Sequence, residues 1–575
     1  MENREFARLL AETADLMEIA GEDGFRIRSY RNAAAAIAGT PARVEEMLRN
    51  PERKVTEIPG VGKGIAAVLQ EIAERGSFER RDELLKKYPP GALEMLKIQG
   101  LGPKSLAVLF SHFEPRTIDD LEKLCQEHKL QDLPRMGAKL EEKVLRSIAQ
   151  YRKSAGRFLL SYGSRAEAEL TAYLGEKAGA RRVTAAGSYR RGRETIGDLD
   201  LLATGVGARE ALDALAGHPS VTEVLGKGEN KASVKYGGEG LQVDLRALPE
   251  ESFGAALQYF TGSKEHNVAL RGRAQRMGLT LNEYGLARVE DGARVAGATE
   301  EEIYAALGLA WIPPELRENQ GEIEAAANGG LPRLIEVGDV RGDVHMHTRE
   351  TDGRATLEEM AEAGRAMGYE YIAITDHSKA LAMANGLDEK RVIEFAQRVR
   401  KIDQAKLGIR VFSGLECDIR KDGAMDIEED ALAQLDLVIA SVHSHFSLEP
   451  AAMTDRILRA MESPSVRILG HPTGRVLLHR DAYAYEFEQV VKEAVRRGVF
   501  LEINASPERL DLHAPLIRAA KALGARFVIS TDAHDPKHLA NIRFGVQMAR
   551  RGWLEAGDAI NTRGVEDFAK AIEKS

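Results

Sequence analysis

The C-terminal part of the chain, from about residue 338 onward, alternates short apolar runs with amphipathic stretches of helical spacing. Such alternation predicts parallel strands joined by crossover helices. Seven apolar runs each lead into a turn: Gly342–His347, Tyr371–His377, Val411–Glu416, Leu437–His443, Arg467–His471, Phe500–Asn504 and Phe527–His534. In a closed barrel of parallel strands, the carboxyl ends of the strands converge on one face. Side chains at the ends of these runs should therefore share one pocket.

Six of the seven runs deliver a His, Asp or Glu side chain, and ten of the 14 histidines lie in this part of the chain. A lone His is more often a satisfied polar residue, but convergence of so many makes coincidence improbable. Oxygen and imidazole donors at this density favour hard or borderline divalent metals. The pattern predicts a multi-metal hydrolase. The candidate ligands are His345, His347, Asp352, His377, Glu416, His443, His471, Asp532 and His534.

The rest of the chain divides into regions of different pattern. Residues 1 to about 150 predict helices throughout, because long amphipathic stretches are broken by Gly and Pro. Strand-like pieces follow, at Arg182–Ala185, Leu199–Ala203, Ala232–Lys235 and Gln242–Leu245, and a mixed region then runs to about Leu316. The segment Arg317–Gly338 is polar and rich in Ala and Gly, so we interpret it as an interdomain linker.

A glycine pattern recurs in the helical region. Ile58-Pro-Gly-Val-Gly-Lys-Gly64 and Ile98-Gln-Gly-Leu-Gly-Pro-Lys104 share an apolar residue, Gly-x-Gly and a helix with an early Lys; Leu133-Pro-Arg-Met-Gly-Ala-Lys139 is a weaker copy. Paired glycines allow a tight turn and let a phosphate approach the backbone at a helix N-terminus. One copy alone is as readily a helix cap, but repetition favours a grip on a sugar-phosphate backbone. The predicted DNA contacts are Gly60, Gly62, Lys63, Gly100, Gly102 and Lys104.

A second cluster of carboxylates lies in the strand-like region. Asp198 and Asp200 are two residues apart, so on a strand both side chains point to one face, while Leu199 and Leu201 point to the other. Asp244 lies on another strand-like segment that could run alongside. Three carboxylates on one sheet face repel one another unless cations lie between them, and two Mg²⁺ ions are the usual solution for phosphoryl transfer. A bare Asp-x-Asp is common on surfaces, but a preceding Gly187-Ser188 and a basic stretch favour the catalytic interpretation.

Length, charge and cysteine content set broad limits. A chain of 575 residues is too long for one core and predicts several domains. The net charge of −9 argues weakly against nucleic-acid binding, but Tyr151–Arg193 carries a local excess of Arg and Lys. No apolar stretch approaches the roughly 20 residues that cross a bilayer, and the polar, acidic start is not a secretory signal. Two cysteines cannot build a disulfide framework, so we expect a cytoplasmic protein without a membrane partner.

The motif from Gly187-Ser188 to Asp198-x-Asp200 resembles the nucleotidyltransferase signature. Tyr259-Phe-Thr-Gly-Ser263 and the residues after it resemble the thumb of family X DNA polymerases, the DNA polymerase beta group. The resemblance implies a palm whose catalytic metal ligands are Asp198, Asp200 and Asp244. It also implies a nucleotide site formed by Ser188, Arg191, Gly197, Tyr259, Phe260, Gly262, Asn267 and Arg271. Tyr259 and Phe260 would form the wall beside the sugar, and Asn267 and Arg271 would face the minor groove.

The chain departs from that pattern at three positions. Lys264 replaces an acidic residue near the incoming base, and Gln242 replaces a basic residue two positions before the third aspartate. The N-terminal module resembles a deoxyribose-phosphate lyase domain, yet the Schiff-base lysine position holds Val68. Lys63 is near in sequence but lies at a different helical phase. We therefore predict weak or absent lyase activity.

The nine candidate ligands of the C-terminal part resemble those of the PHP (polymerase and histidinol phosphatase) domain, without a departure at any of them. The resemblance implies a distorted (β/α)7 barrel that holds up to three ions, Mn²⁺ and/or Zn²⁺. His445 and Arg475 are further candidates for phosphate contacts. Ligand type alone does not select among Mn²⁺, Zn²⁺ and Fe²⁺.

Across essentially the whole chain, the order of motifs resembles the long bacterial family X DNA polymerases. We predict a multidomain α/β protein with an N-terminal helical lyase-like domain (1–85), a helix-hairpin-helix fingers-type domain (86–150), an α+β nucleotidyltransferase palm (151–248), a thumb (249–317), a linker (318–337) and a PHP domain (338–575). The predicted function is gap filling in DNA repair, including base excision repair, with a metal-dependent 3′-5′ exonuclease; abasic-site cleavage is a further activity that the resemblance allows. The expected partners are gapped or primer-template DNA, dNTP and Mg²⁺, and we expect a monomer.

Two other interpretations compete with this prediction. The first is a terminal nucleotide-adding enzyme fused to a small-molecule phosphatase. The second is a DNA end-binding scaffold whose PHP domain is only structural. Template-directed extension of gapped DNA, and nuclease turnover that depends on His345 and His347, would separate both from a repair polymerase.

Overall fold

The protein forms two compact units, Met1–Ala155 and Gly156–Ser575. The structure is a computed structural model, and it describes residues 3–39, 44–49, 54–58, 60–89, 91–134, 136–154, 156–402 and 404–573. In this part of the chain, no helix combines the length and apolar character needed to cross a membrane.

The first unit is helical wherever the structure describes it, as the amphipathic pattern predicted. Its helices are α1 (Asn3–Ile19), α2 (Gly24–Gly39), α3 (Val44–Arg49), α4 (Lys63–Arg75), α5 (Glu79–Lys87), α6 (Gly91–Met95), α7 (Pro103–His112), α8 (Ile118–Gln126) and α9 (Ala138–Ser154). One apolar cluster, from Phe6 in α1 to Ile148 in α9, joins these helices. The predicted boundary at residue 85 therefore does not separate two independent cores.

The second unit begins with a mixed five-stranded sheet. Its elements are β1 (Phe158–Leu159), α10 (Leu160–Ala178), β2 (Arg182–Ala185), α11 (Gly187–Arg190), β3 (Thr195–Ile196), β4 (Asp198–Thr204), α12 (Ala208–Ala216), β5 (Val221–Lys227), β6 (Lys231–Tyr236) and β7 (Leu241–Ala247). The sheet order is β2-β4-β7-β6-β5, and β4 and β7 are parallel. Leu199 and Leu201 pack with Leu170 and Leu212 of α10 and α12, so the sheet is covered on that face. The sequence did not reveal β5, an edge strand whose residues are mostly exposed.

A smaller lobe follows, with α13 (Phe253–Thr261), α14 (Lys264–Arg276), β8 (Leu279–Asn282), β9 (Gly285–Arg288), β10 (Arg294–Ala296), α15 (Glu300–Ala306) and α16 (Glu322–Ala327). The segment predicted as an interdomain linker contains α16, and its residues Arg317, Glu322 and Ile335 are fully buried. The Glu322 carboxylate lies 2.7 Å from Nδ1 of His266. The charged side chains of Arg317 and Glu322 therefore lie in buried pairs, with Glu300 and His266 respectively.

The C-terminal part is a nearly closed barrel of seven parallel strands in sequential order. Its elements are β11 (Gly342–Asp343), α17 (Leu357–Ala366), β12 (Tyr371–Ile374), α18 (Glu389–Lys401), α19 (Gln404–Leu407), β13 (Arg410–Asp418), α20 (Glu429–Leu432), β14 (Leu437–Ser441), α21 (Pro450–Ala460), β15 (Val466–Leu469), α22 (Phe487–Arg497), β16 (Phe500–Asn504), α23 (Ala514–Ala522), β17 (Phe527–Ser530), α24 (Ile542–Arg551) and α25 (Val565–Ile572). A parallel bridge between Met346 and Ala533 joins the two ends of the sheet. Each of the seven apolar runs contains one strand, so the predicted barrel is confirmed.

Candidate active sites

The three aspartates of the five-stranded sheet lie on two neighbouring strands. In the parallel pairing of β4 with β7, Asp200 is directly opposite Asp244, and Asp198 is opposite Gln242. The alternation that buries Leu199 and Leu201 turns Asp198 and Asp200 to the uncovered face. The structure therefore brings together the three carboxylates that the sequence singled out.

The closeness of these carboxylates affects the pKa of Asp200. Burial, and then the negative charges of Asp198 and Asp244, raise the pKa of Asp200 to about 7. Burial also acts on Asp244, but hydrogen bonds from Lys231 and Ser233 bring its pKa below the usual value. Lys231 Nζ lies 2.6 Å from Asp244 Oδ2. Because negative charge on Asp200 is unfavourable in this site, divalent cations between the carboxylates would stabilise it.

The turn from Gly187 to Gly197, which we call the Gly187 turn, lies directly beside Asp200. Gly187 has a φ of +63°, and a Cβ atom at that position would clash with Asp200 Oδ2. Ser188 follows in α11, and Gly197 lies next to the Arg157 guanidinium at the start of β4. Only glycine allows the backbone of this turn to approach the carboxylates so closely.

Arg191, a predicted nucleotide contact, is tied to neighbouring elements. Its Nε lies 3.2 Å from a Glu318 carboxylate oxygen, and its Nη1 donates to the Thr261 carbonyl. Only 14% of its side chain is exposed. In the structure, Arg191 holds the Gly187 turn to α13 and to the end of the smaller lobe.

The predicted sugar and minor-groove contacts group at the junction of α13 and α14. Phe260 lies under the Arg246 guanidinium at 4.3 Å from the ring centroid, and Arg246 follows Asp244 by two residues on β7. Asn267 donates to the Tyr259 carbonyl at 2.7 Å, and Arg271 lies one turn further along α14. Gly262 and Ser263 separate the two helices. This group therefore borders the carboxylate face.

The nine predicted ligands of the barrel form one connected cluster. Three groups have donor atoms within 4.8 Å of one another: His347, Asp352, His377 and His534; His345, His347 and Asp532; His377, Glu416 and His443. His471 joins them through Nε2, which lies 2.8 Å from Glu416. No predicted ligand lies apart from the others.

Three imidazole nitrogens of the cluster are buried with no hydrogen-bond partner among the described residues: His345 Nε2, His347 Nδ1 and His471 Nδ1. His377 Nδ1 lies 2.8 Å from a Glu416 carboxylate oxygen. An unpaired buried nitrogen is costly unless it binds something. Burial alone would raise the pKa of Glu416. The positive charges of His443, His345 and His377 outweigh that effect and bring this pKa well below its usual value. Once a cation displaces their protons, these imidazoles would present nitrogen lone pairs beside ionised carboxylates, a donor set for divalent metals.

A layer of buried carboxylates behind the cluster was missed by the sequence interpretation. Glu502 lies 2.6 Å from His345 Nδ1 and accepts hydrogen bonds from the His471 amide and the Ser530 hydroxyl. Asp418 contacts His443 Nδ1. Such partners orient ligating imidazoles. Glu502 lies inside the apolar strand β16, and its burial among hydrophobic neighbours was the available signal.

The barrel also contacts the Gly187 turn. Arg475 lies 3.3 Å from Glu194, and Arg551 Nη1 donates to the Arg191 carbonyl at 2.6 Å. Gly192 lies against Gln547 of α24. Arg475, predicted as a phosphate contact, is thus engaged in holding the barrel to this turn.

The glycine hairpins of the first unit share one local geometry. Gly60 and Gly100 have φ values of +87° and +99°, while Gly62 and Gly102 cap α4 and α7. Lys63 and Lys104 are exposed in the first turn of these helices. Open space surrounds the Cβ positions of Gly62 and Gly102, so a phosphate could approach the backbone there. Pro59 and Arg135 of these motifs lie outside the described residues.

Comparison with known families agrees with this geometry. A helix-hairpin-helix domain model matches residues 1–78, and a SAM-like helix-hairpin-helix tandem matches 92–150. A DNA polymerase beta thumb matches 256–318, and a PHP domain matches 343–506. The chain is 35% identical over 576 residues to the DNA polymerase/3′-5′ exonuclease PolX of Bacillus subtilis (strain 168), with 100% of both chains covered. This protein belongs to the PolX family.

The predictions of a family X DNA polymerase and of a PHP domain are thereby confirmed. Its domains imply DNA binding and the use of divalent metals. The chain is also similar to two probable phosphatases, from Acetivibrio thermocellus and Shewanella oneidensis. They are 30% and 29% identical over 205 and 202 residues, in each case 33% of this chain, and 78% and 75% of those proteins.

Proposed function

We propose that this protein fills short gaps in damaged DNA and that its PHP domain trims 3′ ends before extension. The observation that carries this proposal is the presence of two separate donor clusters, in the sheet and in the barrel, in one chain that aligns over its full length with PolX. A polymerase that meets a mismatched or blocked 3′ end needs a hydrolytic activity to remove it.

At the sheet, Asp198, Asp200 and Asp244 would hold two Mg²⁺ ions. When bound, these ions activate the primer hydroxyl and stabilise charge on the phosphorus oxygens. Ser188 and the backbone of the Gly187 turn would bind the triphosphate, with Arg191 and Gly197 at its borders. Tyr259, Phe260 and Gly262 would face the sugar, and Asn267 and Arg271 would contact the minor groove of the new pair.

At the barrel, the nine ligands would hold up to three ions, of Mn²⁺ or Zn²⁺. These ions supply an activated water and charge neutralisation for cleavage of a phosphodiester. Glu502 and Asp418 keep His345 and His443 in the orientation that presents the other ring nitrogen to the site. Abasic-site cleavage would use the same residues.

The first unit would hold the DNA through its hairpins, which contact phosphates without reading bases. Gly60, Gly62 and Lys63 would grip one stretch of backbone, and the equivalent residues of the second hairpin another. We further propose that the protein acts as a monomer on gapped or primer-template DNA with dNTP. The division into six segments, including the linker at 318–337, remains our proposal.

One labelled gapped substrate tests the proposal, with and without dNTPs, in Mg²⁺ or Mn²⁺. Asp198→Ala should abolish synthesis and retain degradation. His345→Ala should abolish degradation and retain synthesis, and the double variant should show neither activity. Asp213→Ala, which removes an exposed carboxylate of α12, is a matched control and should behave as wild type.

Three results would contradict the proposal. Addition of nucleotides without regard to the template would favour a terminal transferase. Hydrolysis of free phosphate monoesters with no DNA degradation would favour a phosphatase, an activity for which the two smaller relatives are named. Undiminished degradation by His345→Ala would indicate a contaminating nuclease and a structural PHP domain.

A further inference from the structure

The strand β16 is followed by an arginine that reaches the metal-ligand cluster. Its run is the one in the barrel that ends without a candidate ligand, at Asn504. Five residues later, Arg509 places its Nε 3.6 Å from Asp532 Oδ2. The guanidinium therefore lies beside one of the predicted ligands.

The backbone of Arg509 is held by hydrogen bonds, but its guanidinium Nη1 has no hydrogen-bond partner among the described residues. Arg475 Nε donates to the Arg509 carbonyl at 3.0 Å, and the Arg509 amide donates to the Ser506 carbonyl at 2.9 Å. Its Nη1 is buried, and the described residues offer it no hydrogen-bond partner. Asp532 already contacts His347 and Asn504. A fixed cation with an unpaired buried nitrogen next to a metal site points to an anionic ligand.

A second arginine, Arg480, follows a segment that contacts the Arg509 loop, because the Leu477 amide donates to the Glu508 carbonyl at 2.7 Å. Arg480 donates through Nε and Nη2 to the Gly474 carbonyl, and its guanidinium lies 3.8 Å from the centroid of the Phe446 ring. No carboxylate of the described chain lies within 4 Å of it. Burial lowers the pKa of Arg480, and the charge of Arg509 adds to that effect. Two neighbouring cations repel each other unless an anion lies between them.

We propose that Arg509 binds the phosphodiester that is cut and that Arg480 binds the next phosphate along the strand. A planar guanidinium matches two phosphate oxygens at once. Arg509 is the inner of the two because it contacts a predicted metal ligand, whereas Arg480 contacts a backbone carbonyl and a ring. The substrate class is thus a nucleic-acid strand with at least two consecutive phosphates. This inference rests on the proposed exonuclease function.

Two substrates separate the roles of the arginines. Bis(p-nitrophenyl) phosphate carries one phosphodiester, and a short single-stranded oligonucleotide carries several. Arg509→Gln should raise KM about 10- to 100-fold for both substrates, because a charge-assisted contact to the reacting group is lost. Arg480→Gln should raise KM for the oligonucleotide alone. Arg509→Lys should recover part of the loss, and Arg496→Gln, at an exposed arginine of α22, is the matched control.

Two further measurements keep the test decisive. Metal content and gap filling should be unchanged in every variant, which shows that the fold and the ligands are intact. Binding of a hydrolysis-resistant phosphorothioate thymidine dinucleotide with a 5′ phosphate, measured by calorimetry, requires no turnover. It should weaken about tenfold in Arg509→Gln and in Arg480→Gln, and should be unchanged in Arg496→Gln.

The proposal would be overturned if Arg509→Gln matched Arg496→Gln in both KM and dinucleotide binding, or if it lost bound metal, which would make it a support for Asp532. A KM increase for bis(p-nitrophenyl) phosphate in Arg480→Gln would overturn the inner and outer assignment. If wild type bound the dinucleotide through both arginines but degraded no DNA, the exonuclease function would fail while the phosphate sites would stand.

Discussion

Acid should weaken divalent-metal binding at the polymerase site, because a proton and a cation compete for Asp200. Burial and the charges of Asp198 and Asp244 raise the pKa of this carboxyl to about 7. The pKa of Asp244 is low, since Lys231 and Ser233 stabilise its charge, so Asp244 stays ionised over the same range. Asp200 is therefore the palm carboxylate whose protonation changes near neutral pH.

The expected magnitude follows from that value. For a single competing proton, the apparent dissociation constant of the metal is multiplied by one plus the ratio of protonated to ionised carboxyl. With a pKa of about 7, the factor is about 1.1 at pH 8 and about 11 at pH 6. The Mg²⁺ concentration for half-maximal activity should therefore rise about tenfold, which corresponds to about 1.4 kcal/mol.

The assay is single-nucleotide gap filling at saturating DNA and dNTP, with Mg²⁺ titrated at pH 6, 7 and 8. The His345→Ala variant is used so that degradation does not compete with synthesis. A half-maximal Mg²⁺ concentration that changes less than twofold across this range would refute the reasoning. The same pH series in Mn²⁺ should show the same shift at lower metal concentrations.

The stability of the metal-free protein gives an independent measurement. Because the folded-state pKa of Asp200 is raised, its favourable contribution is present below about pH 4 and is lost as pH rises through about 7. Asp200→Asn should therefore stabilise the metal-free protein at pH 8, by about 2 kcal/mol after allowing for relaxation of the neighbours, and by little at pH 4. The folded-state pKa of Asp244 is lowered, so its ionised carboxylate contributes stability at pH 8. Asp244→Asn should therefore lower the melting temperature at that pH. Equal effects of the two variants in a thermal scan would contradict this account.

Four other changes have clear expectations. Gly187→Ala should abolish gap filling because its Cβ would clash with Asp200, while Gly240→Ala, at a similar φ of +73° but in open space, should remain active in the same assay; equal loss in both would point to backbone strain alone. Glu502→Gln should weaken metal binding at the barrel about 10- to 100-fold in a Mn²⁺ titration, with synthesis unaffected. Glu300→Gln breaks buried pairs with Arg190 and Arg317 and should destabilise the protein by about 3–5 kcal/mol in calorimetry; an unchanged melting temperature would rule this out. Borohydride should trap no covalent DNA adduct, because Val68 offers no amine; an adduct that Lys63→Ala removes would overturn the predicted lack of lyase activity.

The clustering of the candidate metal ligands could be predicted from the sequence because strand periodicity and position dictate where these residues lie. His345, Glu416 and His471 each follow an apolar run, and parallel strands bring such residues to one end of the barrel whatever the helices between them are. The shared face of Asp198 and Asp200 could also be predicted, since side chains alternate between the two faces of a strand. The pairing of Asp200 with Asp244 required the register between two strands distant in sequence, which the structure supplies.

The failures have a physical cause in common. Glu502 is a lone acidic residue inside an apolar strand, but that signal does not show which ligand it contacts. Arg509 lies in an irregular loop and has no local signal for its contact with the ligands. The segment Arg317–Gly338 was interpreted as a linker because it is polar and rich in Ala and Gly, but Arg317 and Glu322 pair with Glu300 and His266, which lie outside the segment. Charge along a chain indicates exposure only when no distant partner exists.

The arginines that join the barrel to the Gly187 turn limit how this protein could be shortened. A truncated polymerase ending near residue 337 would remove Arg475 and Arg551, so Glu194 would lose an ion-pair partner and the Arg191 carbonyl a hydrogen-bond donor. Gln547, which packs on Gly192, would be lost as well. The Gly187 turn would then lack these supports, so we expect the barrel to act as a scaffold for the aspartate-bearing sheet, and neither part to be freely exchangeable without the other.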